Sequence, residues 1–193
     1  MSASIPRLNP SHSSVLSPLL PSLAKLYAHF ADHADCPSYE NIAANEIPEP
    51  YRWLLVHTHH MTVTVERFYS DAVNVQVLDS VQTDMSYARK ILLTLNTSHK
   101  VVQFGIVHID LALLSPIVRD EIVAGKTPLG RVLIQHNVFR VVQPVRYFRA
   151  VLGSQMAHWF GATIGAVTYG RLGVIYTDGQ PAIHVAEILA PIV

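Results

Sequence analysis

The sequence RLGVIYTDGQPAIHVAEIL, residues 171–189, consists of two β-rich runs on either side of a tight turn. Asp178 and Gly179 stand at the centre of this turn, and an Asp-Gly pair between strand-like runs is among the strongest signals for a β-hairpin. Strands that are joined by such a short turn are antiparallel neighbours. The C-terminal region therefore predicts an antiparallel sheet.

Five further strands are predicted upstream of this hairpin. In each run, apolar residues alternate with polar ones or β-branched residues are enriched, which is typical of strands. The runs are residues 61–69 (MTVTVERFY), 73–82 (VNVQVLDSVQ), 87–95 (YARKILLTL), 101–114 (VVQFGIVHIDLALL) and 137–147. The turn Asn96-Thr97-Ser98-His99 makes the third and fourth of these runs antiparallel neighbours as well.

Helices are predicted between these strands. Ser115 as a cap, with Pro116 at the first helical position, begins a helix that ends at Gly125. Further helices are expected from Ser17 to Ala34, over residues 51–57 and over residues 131–136, with a loop at 35–50. The sequence thus predicts the α+β class, as a mainly antiparallel sheet flanked by helices.

The composition indicates one well-packed domain. The chain has 193 residues, no formal net charge, 50% hydrophobic and 15% charged residues, and a mean hydropathy of +0.27. These values exclude a disordered chain and argue against a nucleic-acid-binding protein, which needs an excess of Lys and Arg. We expect a single domain over residues 1–193, with residues 1–10 loosely held because Pro, Ser and Asn dominate them.

The cellular setting is predicted from features that the sequence lacks. No uncharged apolar run is long enough to span a membrane, and prolines interrupt the apolar part of the N-terminal region, unlike in a secretory signal. Cys36 is the only cysteine, so nothing demands an oxidising compartment. We therefore expect a cytoplasmic protein without a membrane span or a nucleic-acid partner.

Two charged residues lie on apolar faces of predicted strands. Glu187 alternates with Val185 and Leu189, and Arg89 alternates with Tyr87 and Ile91. A buried charge needs a partner, because its transfer from water is costly. Either the two side chains form a buried salt bridge with each other, or both line a cavity, where Arg89 binds a ligand carboxylate and Glu187 binds a hydroxyl or transfers a proton.

Other chemical signals are weak. His57 and His59 have a spacing that permits metal chelation, but no third ligand follows at a matching spacing, so surface or loop histidines are the favoured interpretation. The sequence contains no glycine-rich phosphate loop, no Gly-x-Ser-x-Gly and no His-Glu-x-x-His motif. Nucleotide binding, serine hydrolysis and zinc proteolysis therefore have no support.

Several segments, taken in order, resemble the chorismate pyruvate-lyase family. The similarity extends from about residue 50 to the C-terminus, and the motifs are more specific together than singly. The matching segments are Trp53-Leu54-Leu55, His60-Met61-Thr62, SYARKILL (86–93), GKTPLGRVL (125–133), Tyr169-Gly170-Arg171, Asp178-Gly179-Gln180-Pro181 and Val185-Ala186-Glu187-Ile188-Leu189.

The resemblance implies a function and a set of site residues. By it, the chain is a carbon–oxygen lyase that eliminates pyruvate from chorismate to give 4-hydroxybenzoate, without a cofactor, in an internal ligand cavity. Met61 and Leu129 would offer backbone N–H groups to the ligand, Arg89 would bind a carboxylate, and Glu187 would bind the ring hydroxyl. Glu187 and Arg89 are the expected catalytic residues, and the expected partner is chorismate or a related aromatic acid precursor.

The chain also departs from the family pattern. A second arginine that follows a glycine in the better-known enzymes is absent here, where the sequence is Phe104-Gly105-Ile106. Another cation would have to take its place, and the candidates are His108, Arg140 and Arg171. His60 likewise stands in the place of the serine of a Ser-Met-Thr element, so in this stretch the chain resembles a divergent branch of the family, in which the second arginine is also missing.

Two alternatives remain open. One is a ligand-sensing module that binds a small aromatic acid, since effector-binding domains of some bacterial transcription regulators share this fold. Residues 1–50 are expected to be too short and too rich in proline for the helix-turn-helix that precedes such sensors. The other is a related lyase or a carrier that binds an aromatic acid without turnover.

Overall fold

Seven antiparallel strands form one sheet in the computed structural model, which describes residues 20–192. Their order across the sheet is β1-β5-β6-β7-β4-β3-β2. The β6–β7 hairpin therefore meets the β3–β4 hairpin where β7 pairs with β4. This confirms the predicted α+β class with a mainly antiparallel sheet. The strands are β1 (Ser38–Ile42), β2 (Val73–Gln82), β3 (Ser86–Leu95), β4 (Val101–Asp110), β5 (Arg140–Val151), β6 (Val167–Thr177) and β7 (Gln180–Leu189).

Helices cover both faces of the sheet, which explains why the central strands are buried on both sides. The first and last helices pack with Phe104 and Phe148 on one face, and the other four cover the opposite face. None of the helices in residues 20–192 is long and apolar enough to cross a membrane. The helices are α1 (Leu23–Tyr27), α2 (Tyr51–Leu55), α3 (Met61–Tyr69), α4 (Pro116–Val123), α5 (Leu129–Gln135) and α6 (Ser154–Phe160).

The C-terminal hairpin forms as predicted, with one irregularity. Asp178 and Gly179 have φ values of 49° and 79°, which are the positive values that a tight hairpin turn requires. Thr177 pairs with Gln180 at the turn, but the register shifts by one residue at a bulge between Ile175 and Tyr176. Beyond this bulge Arg171 lies directly opposite Glu187, where an unshifted hairpin would place Ala186.

The prediction of a strand at residues 61–69 is wrong, because MTVTVERFY forms helix α3. The Thr-Val alternation favours a strand locally, yet Met61 and Val65 are one helical turn apart and are both buried. Val63, between them, is largely exposed. Tertiary burial of one helical face therefore overrides the local preference of the β-branched residues.

The N-terminal predictions are corrected in two places. The helix expected from Ser17 to Ala34 is only Leu23–Tyr27 within the described residues, capped by the Ser22 hydroxyl, while residues 17–19 lie outside them. The loop expected at 35–50 contains the edge strand β1, because its backbone pairs with β5. The loosely held segment expected at residues 1–10 also lies outside the described residues.

Candidate functional site

A small cavity of about 50 Å³ lies between the sheet and the first turns of α3 and α5. The residues that the sequence analysis singled out, Met61, Arg89, Leu129 and Glu187, all line this cavity. They come from two helices and two strands that are distant in the sequence, and the sheet order brings them together. Gly105, at the centre of β4, leaves room on the cavity floor between Arg89 and Glu187.

Arg89 is a buried cation without a carboxylate partner in the part of the chain that the structure describes. Its side chain is 1% exposed, Nη1 donates to the carbonyl oxygen of Ile122 at 3.1 Å, and Nε has no hydrogen-bond partner. Burial lowers the pKa of Arg89, and the nearby Tyr87 phenol opposes this shift. A guanidinium keeps its proton even so, and therefore Arg89 retains the capacity to bind an anion.

Glu187 pairs with Arg171 and not with Arg89. Its Oε2 accepts a hydrogen bond from Arg171 Nε at 2.6 Å, and the two side chains are 14% and 1% exposed. The salt bridge between Arg89 and Glu187 that the sequence allowed is thus absent from the described residues. The bulge in the hairpin explains this outcome, because it aligns Arg171 with Glu187 on neighbouring strands.

The guanidinium of Arg171 also holds the segment that leads into α3. Nη1 donates to the carbonyl oxygens of Leu55 and His57, each at 3.0 Å, and Nη2 donates to that of His59 at 3.2 Å. Arg171 therefore connects the Glu187 carboxylate in the cavity wall with the chain between α2 and α3. Each of its three nitrogens has at least one acceptor, as a buried arginine requires.

His57 and His59 do not form a metal site in this structure. The His57 Nε2 bonds to the Leu54 carbonyl oxygen at 2.7 Å, and its Nδ1 accepts from the backbone N–H of His59. No group of three or more His, Cys, Asp or Glu side chains suited to a metal occurs in the part of the chain that the structure describes. Both His57 ring nitrogens are thus engaged in local hydrogen bonds.

The first turns of α3 and α5 meet at the cavity. Met61 and Leu129 are the first residues of these helices, where backbone N–H groups have no partner within the helix. Gly130 permits the close approach, because a Cβ at this position would lie 2.9 Å from the Cβ of His60. Glycine at position 130 therefore allows the start of α5 to pack against His60 at the start of α3.

His60 lies between this cavity and a wider surface depression that contains Arg140. The His60 Nε2 accepts a hydrogen bond from Arg140 Nε at 2.5 Å. Burial, and then the charges of Arg140 and Arg171, lower the pKa of His60 from 6.5 to about 4. His60 is therefore neutral at pH 7 and accepts a proton only in acid.

The low pKa of His60 predicts a loss of stability in mild acid. Its proton binds more weakly in the folded than in the unfolded protein, so the contribution is complete above pH 6.5 and is lost toward pH 4. Between pH 7.5 and pH 5 we expect His60 to lower the free energy of unfolding by about 2 kcal/mol. Urea unfolding across this range measures the slope, and His60→Gln reduces it.

The same titration separates His60 from other histidines. Burial and the charge of Arg171 also lower the pKa of His57 to about 4, so His57 contributes its own share of the slope and His60→Gln removes only part of it. A wild-type slope in the His60→Gln variant would show that the hydrogen bond from Arg140 does not keep His60 neutral.

Sequence reasoning missed one polar residue of the cavity and left the partner of Glu187 unranked. Gln103 on β4 lines the cavity, is 3% exposed, and its Oε1 has no hydrogen-bond partner. The signal was present, since Gln103 shares a strand face with Gly105 and Val107, and is the polar residue in that apolar row. Arg171 was named only among several candidates for a second cation.

None of the three candidates for a second cation, His108, Arg140 and Arg171, is among the residues that line the cavity. His108 lies on the opposite face of β4, where its ring stacks on that of His29 at a centroid distance of 4.2 Å. Arg140 lies in the surface depression beyond His60. The missing arginine of the family pattern is therefore not replaced by a second unpaired cation among the described cavity residues.

The volume of the cavity limits what it holds in this structure. A cavity that holds benzene in another protein measures about 150 Å³, and a single water needs about 10–15 Å³. At about 50 Å³ the present cavity accommodates a few waters or a short aliphatic molecule, so an aromatic acid requires its walls to move apart. The structure does not show the internal ligand cavity expected from the resemblance at a size that admits an aromatic acid.

Comparisons with known proteins gave matches only among solved structures. No protein-family model matches the chain, and no curated protein matches it. PhnF from Mycobacterium smegmatis matches at 11% identity and a TM-score of 0.50, over 70% of this chain and 65% of that one. The effector domain of PhnF alone matches at 12% identity and a TM-score of 0.50, over 68% of this chain and 88% of that domain.

Two further matches are weaker. A possible transcriptional regulator, YydK from Bacillus subtilis, is 12% identical with a TM-score of 0.44, over 61% of this chain and 57% of that one. A GntR-family transcriptional regulator from Bacillus cereus is 11% identical with a TM-score of 0.43, over 62% of this chain and 92% of that one. The matched region thus spans less than two thirds of the YydK and PhnF chains.

These findings confirm the fold and correct the function. The chain shares its chorismate lyase-like fold with the PhnF effector domain. The prediction of a carbon–oxygen lyase is wrong, because the matches that reach a TM-score of 0.50 are PhnF and its effector domain.

Proposed function

We propose that this chain is a ligand-sensing module that binds a small organic monocarboxylate in the cavity beside Arg89. The observation that carries the proposal is the state of Arg89, a cation at 1% exposure that has no carboxylate partner in residues 20–192. Burying a charge without a counter-charge lowers the stability of the fold by roughly several kcal/mol. A ligand carboxylate would remove most of this cost.

The charges around the cavity support a ligand with one negative charge. Arg89 and Arg171 are cationic, Glu187 is engaged with Arg171, and His60 is neutral, which leaves one positive charge uncompensated. A monocarboxylate balances this charge, whereas a dianion such as chorismate leaves a buried negative charge in excess. The charge balance thus favours a smaller and simpler acid.

The two helix starts suit the same ligand. The unpartnered N–H groups at Met61 and Leu129 carry partial positive charge, so they would donate to a carboxylate that Arg89 attracts. In a sensing module, a ligand that contacts α3, α5 and the sheet together would favour the arrangement in which these elements are closest. Binding and conformation would be coupled in this way.

Arg89→Met tests the proposal with two readouts of opposite sign. We expect the variant to lose monocarboxylate binding by at least about 30-fold, because the charge-assisted hydrogen bonds are removed. Without ligand, we expect its free energy of unfolding to rise by about 1 kcal/mol, because an uncompensated buried charge is replaced by an apolar side chain. Calorimetric titration with lactate, valerate and para-hydroxybenzoate, together with urea unfolding, measures both effects.

Arg149→Met is the matched control for this experiment. Arg149 is partly exposed on β5 and pairs with Glu40 on the edge strand β1, three strands or more from the Arg89 strand in the sheet order. This variant should bind the same acids as the wild type does. Equal binding by the Arg89→Met variant, or no binding of any acid by the wild type, would show that the proposed function is wrong.

A further inference from the structure

Two side chains that line the same cavity each carry a buried polar atom without a hydrogen-bond partner among residues 20–192. These atoms are Arg89 Nε, a donor, and Gln103 Oε1, an acceptor. Buried polar groups are hydrogen-bonded in the great majority of cases, so each such exception needs an explanation. Here one explanation serves for both, since a ligand in the cavity would satisfy the two atoms at once.

The register of the sheet places these atoms at different levels of the cavity. Arg89 lies opposite Val107 on β4, while Gln103 is four residues away from Val107 on that strand and on the same face. At about 3.4 Å per residue, the two levels are roughly 13 Å apart at the backbone. The side chains of Arg89 and Gln103 would thus contact opposite ends of a ligand, and Gly105 lies between them on the sheet.

The end at Gln103 differs chemically from the end at Arg89. Gln103 is neutral, and the nearest charged group in the sheet register, Glu187, is held by Arg171. An ammonium group would demand an unpaired carboxylate, which this end does not offer. A neutral donor meets the free amide oxygen without bringing in a charge, and a hydroxyl is the simplest such donor.

Resting on the proposed function, we infer that the ligand is a hydroxycarboxylic acid, whose carboxylate binds Arg89 and whose hydroxyl binds the Gln103 amide. Gln103 is then the residue that determines specificity among small acids. A ligand with a methyl group in place of the hydroxyl leaves the amide buried and unsatisfied, so the site discriminates against it.

Pairs of acids that differ only in hydroxyl against methyl test this inference. The pairs are γ-hydroxybutyrate and valerate, and para-hydroxybenzoate and para-toluate. By calorimetric titration of the full chain, we expect the hydroxy member of the best-fitting pair to bind about tenfold more tightly. Gln103→Leu should abolish this preference while it still binds the methyl member.

A second glutamine provides the control. Gln143 is exposed on β5, so Gln143→Leu should keep the wild-type preference. Gln103→Leu should melt no lower than the wild type without ligand, because it replaces an unpartnered polar atom with an apolar group. This melting temperature distinguishes a change in specificity from a loss of folding.

The outcomes distinguish this inference from the proposed function. If the acids bind through Arg89 without a hydroxyl preference, or if the preference persists in Gln103→Leu, the inference about Gln103 is wrong and the monocarboxylate site stands. If no acid binds to the wild type, both are wrong. A tenfold preference that only Gln103→Leu removes supports both.

Discussion

Arg171→Met is expected to lower the free energy of unfolding by about 3–5 kcal/mol, because it leaves the Glu187 carboxylate in the cavity wall without its counter-charge. The substitution also removes the donors for the carbonyl oxygens of Leu55, His57 and His59. These groups hold the chain that enters α3, so the loss of stability should be accompanied by loosening of that segment. Urea unfolding measures the first effect, and amide hydrogen exchange over residues 55–61 measures the second.

A double variant separates the charge from the packing. Arg171→Met combined with Glu187→Leu removes both charges, so it should recover a large part of the lost stability, although the three carbonyl oxygens remain without their donor. Arg149→Met, which disrupts an exposed pair on β5, should cost less than about 1 kcal/mol. If Arg171→Met were no more harmful than Arg149→Met, the buried ion pair would not be a stabilising element of the fold.

The Arg171–Glu187 pair illustrates where sequence reasoning stopped. The Asp-Gly turn correctly predicts the hairpin, and the burial of Glu187 follows from its apolar row. The identity of its partner depends on a single bulge, which shifts the register by one residue and thereby changes every opposing pair beyond it. No local signal in residues 175–183 announces this bulge, so Arg171 could not be ranked above other cations.

Helix α3 shows a second kind of limit. Residues 61–69 alternate Thr and Val like a strand, but they also have apolar residues one helical turn apart, and short segments are ambiguous between the two periods. The packing of Met61 and Val65 beneath α2 and against the sheet decides the matter, and this environment is known only from the fold. The error matters for the site, because a strand at this place would have no helix start at Met61.

Two other residues could have been found from the sequence. Testing for a charge in an apolar row identified Arg89 on one face of β3, and the same test on the opposite face identifies Lys90, between Ala88 and Leu92. Applied to β4 it identifies Gln103 as a polar residue of the cavity face. Arg89 and Lys90 lie on opposite faces of β3. Because helices cover both faces, both cations are buried and each needs a partner.

Lys90 meets this requirement within the chain. Its Nζ donates to Asp35 Oδ1 and to the Asp32 carbonyl oxygen, each at 2.7 Å, and both charged side chains are 5% exposed. The ammonium also lies over the rings of Tyr27 and Phe30, at 4.9 and 5.0 Å from their centroids. The pair therefore holds α1 and the chain that follows it against the sheet.

Lys90→Met is expected to lower the free energy of unfolding by about 3–5 kcal/mol, because it leaves the Asp35 carboxylate buried without a counter-charge. Asp35 Oδ2 already lacks a hydrogen-bond partner, so only Lys90 provides an ion pair for this carboxylate within the described residues. The segment at residues 23–37 should become the first part of the sheet face to exchange its amide hydrogens. Urea unfolding and hydrogen exchange measure these two effects.

Lys90→Met with Asp35→Leu is the decisive control for the charge, since the double variant removes the buried carboxylate along with its partner. We expect it to be more stable than Lys90→Met alone by about 2 kcal/mol or more, because an apolar pair of similar size avoids the cost of burying charge. Monocarboxylate binding should be unchanged in both variants, because Lys90 lies on the face opposite to Arg89. A double variant no more stable than the single one would mean that the aromatic contacts of Lys90, and not its ion pair with Asp35, hold the N-terminal segment in place.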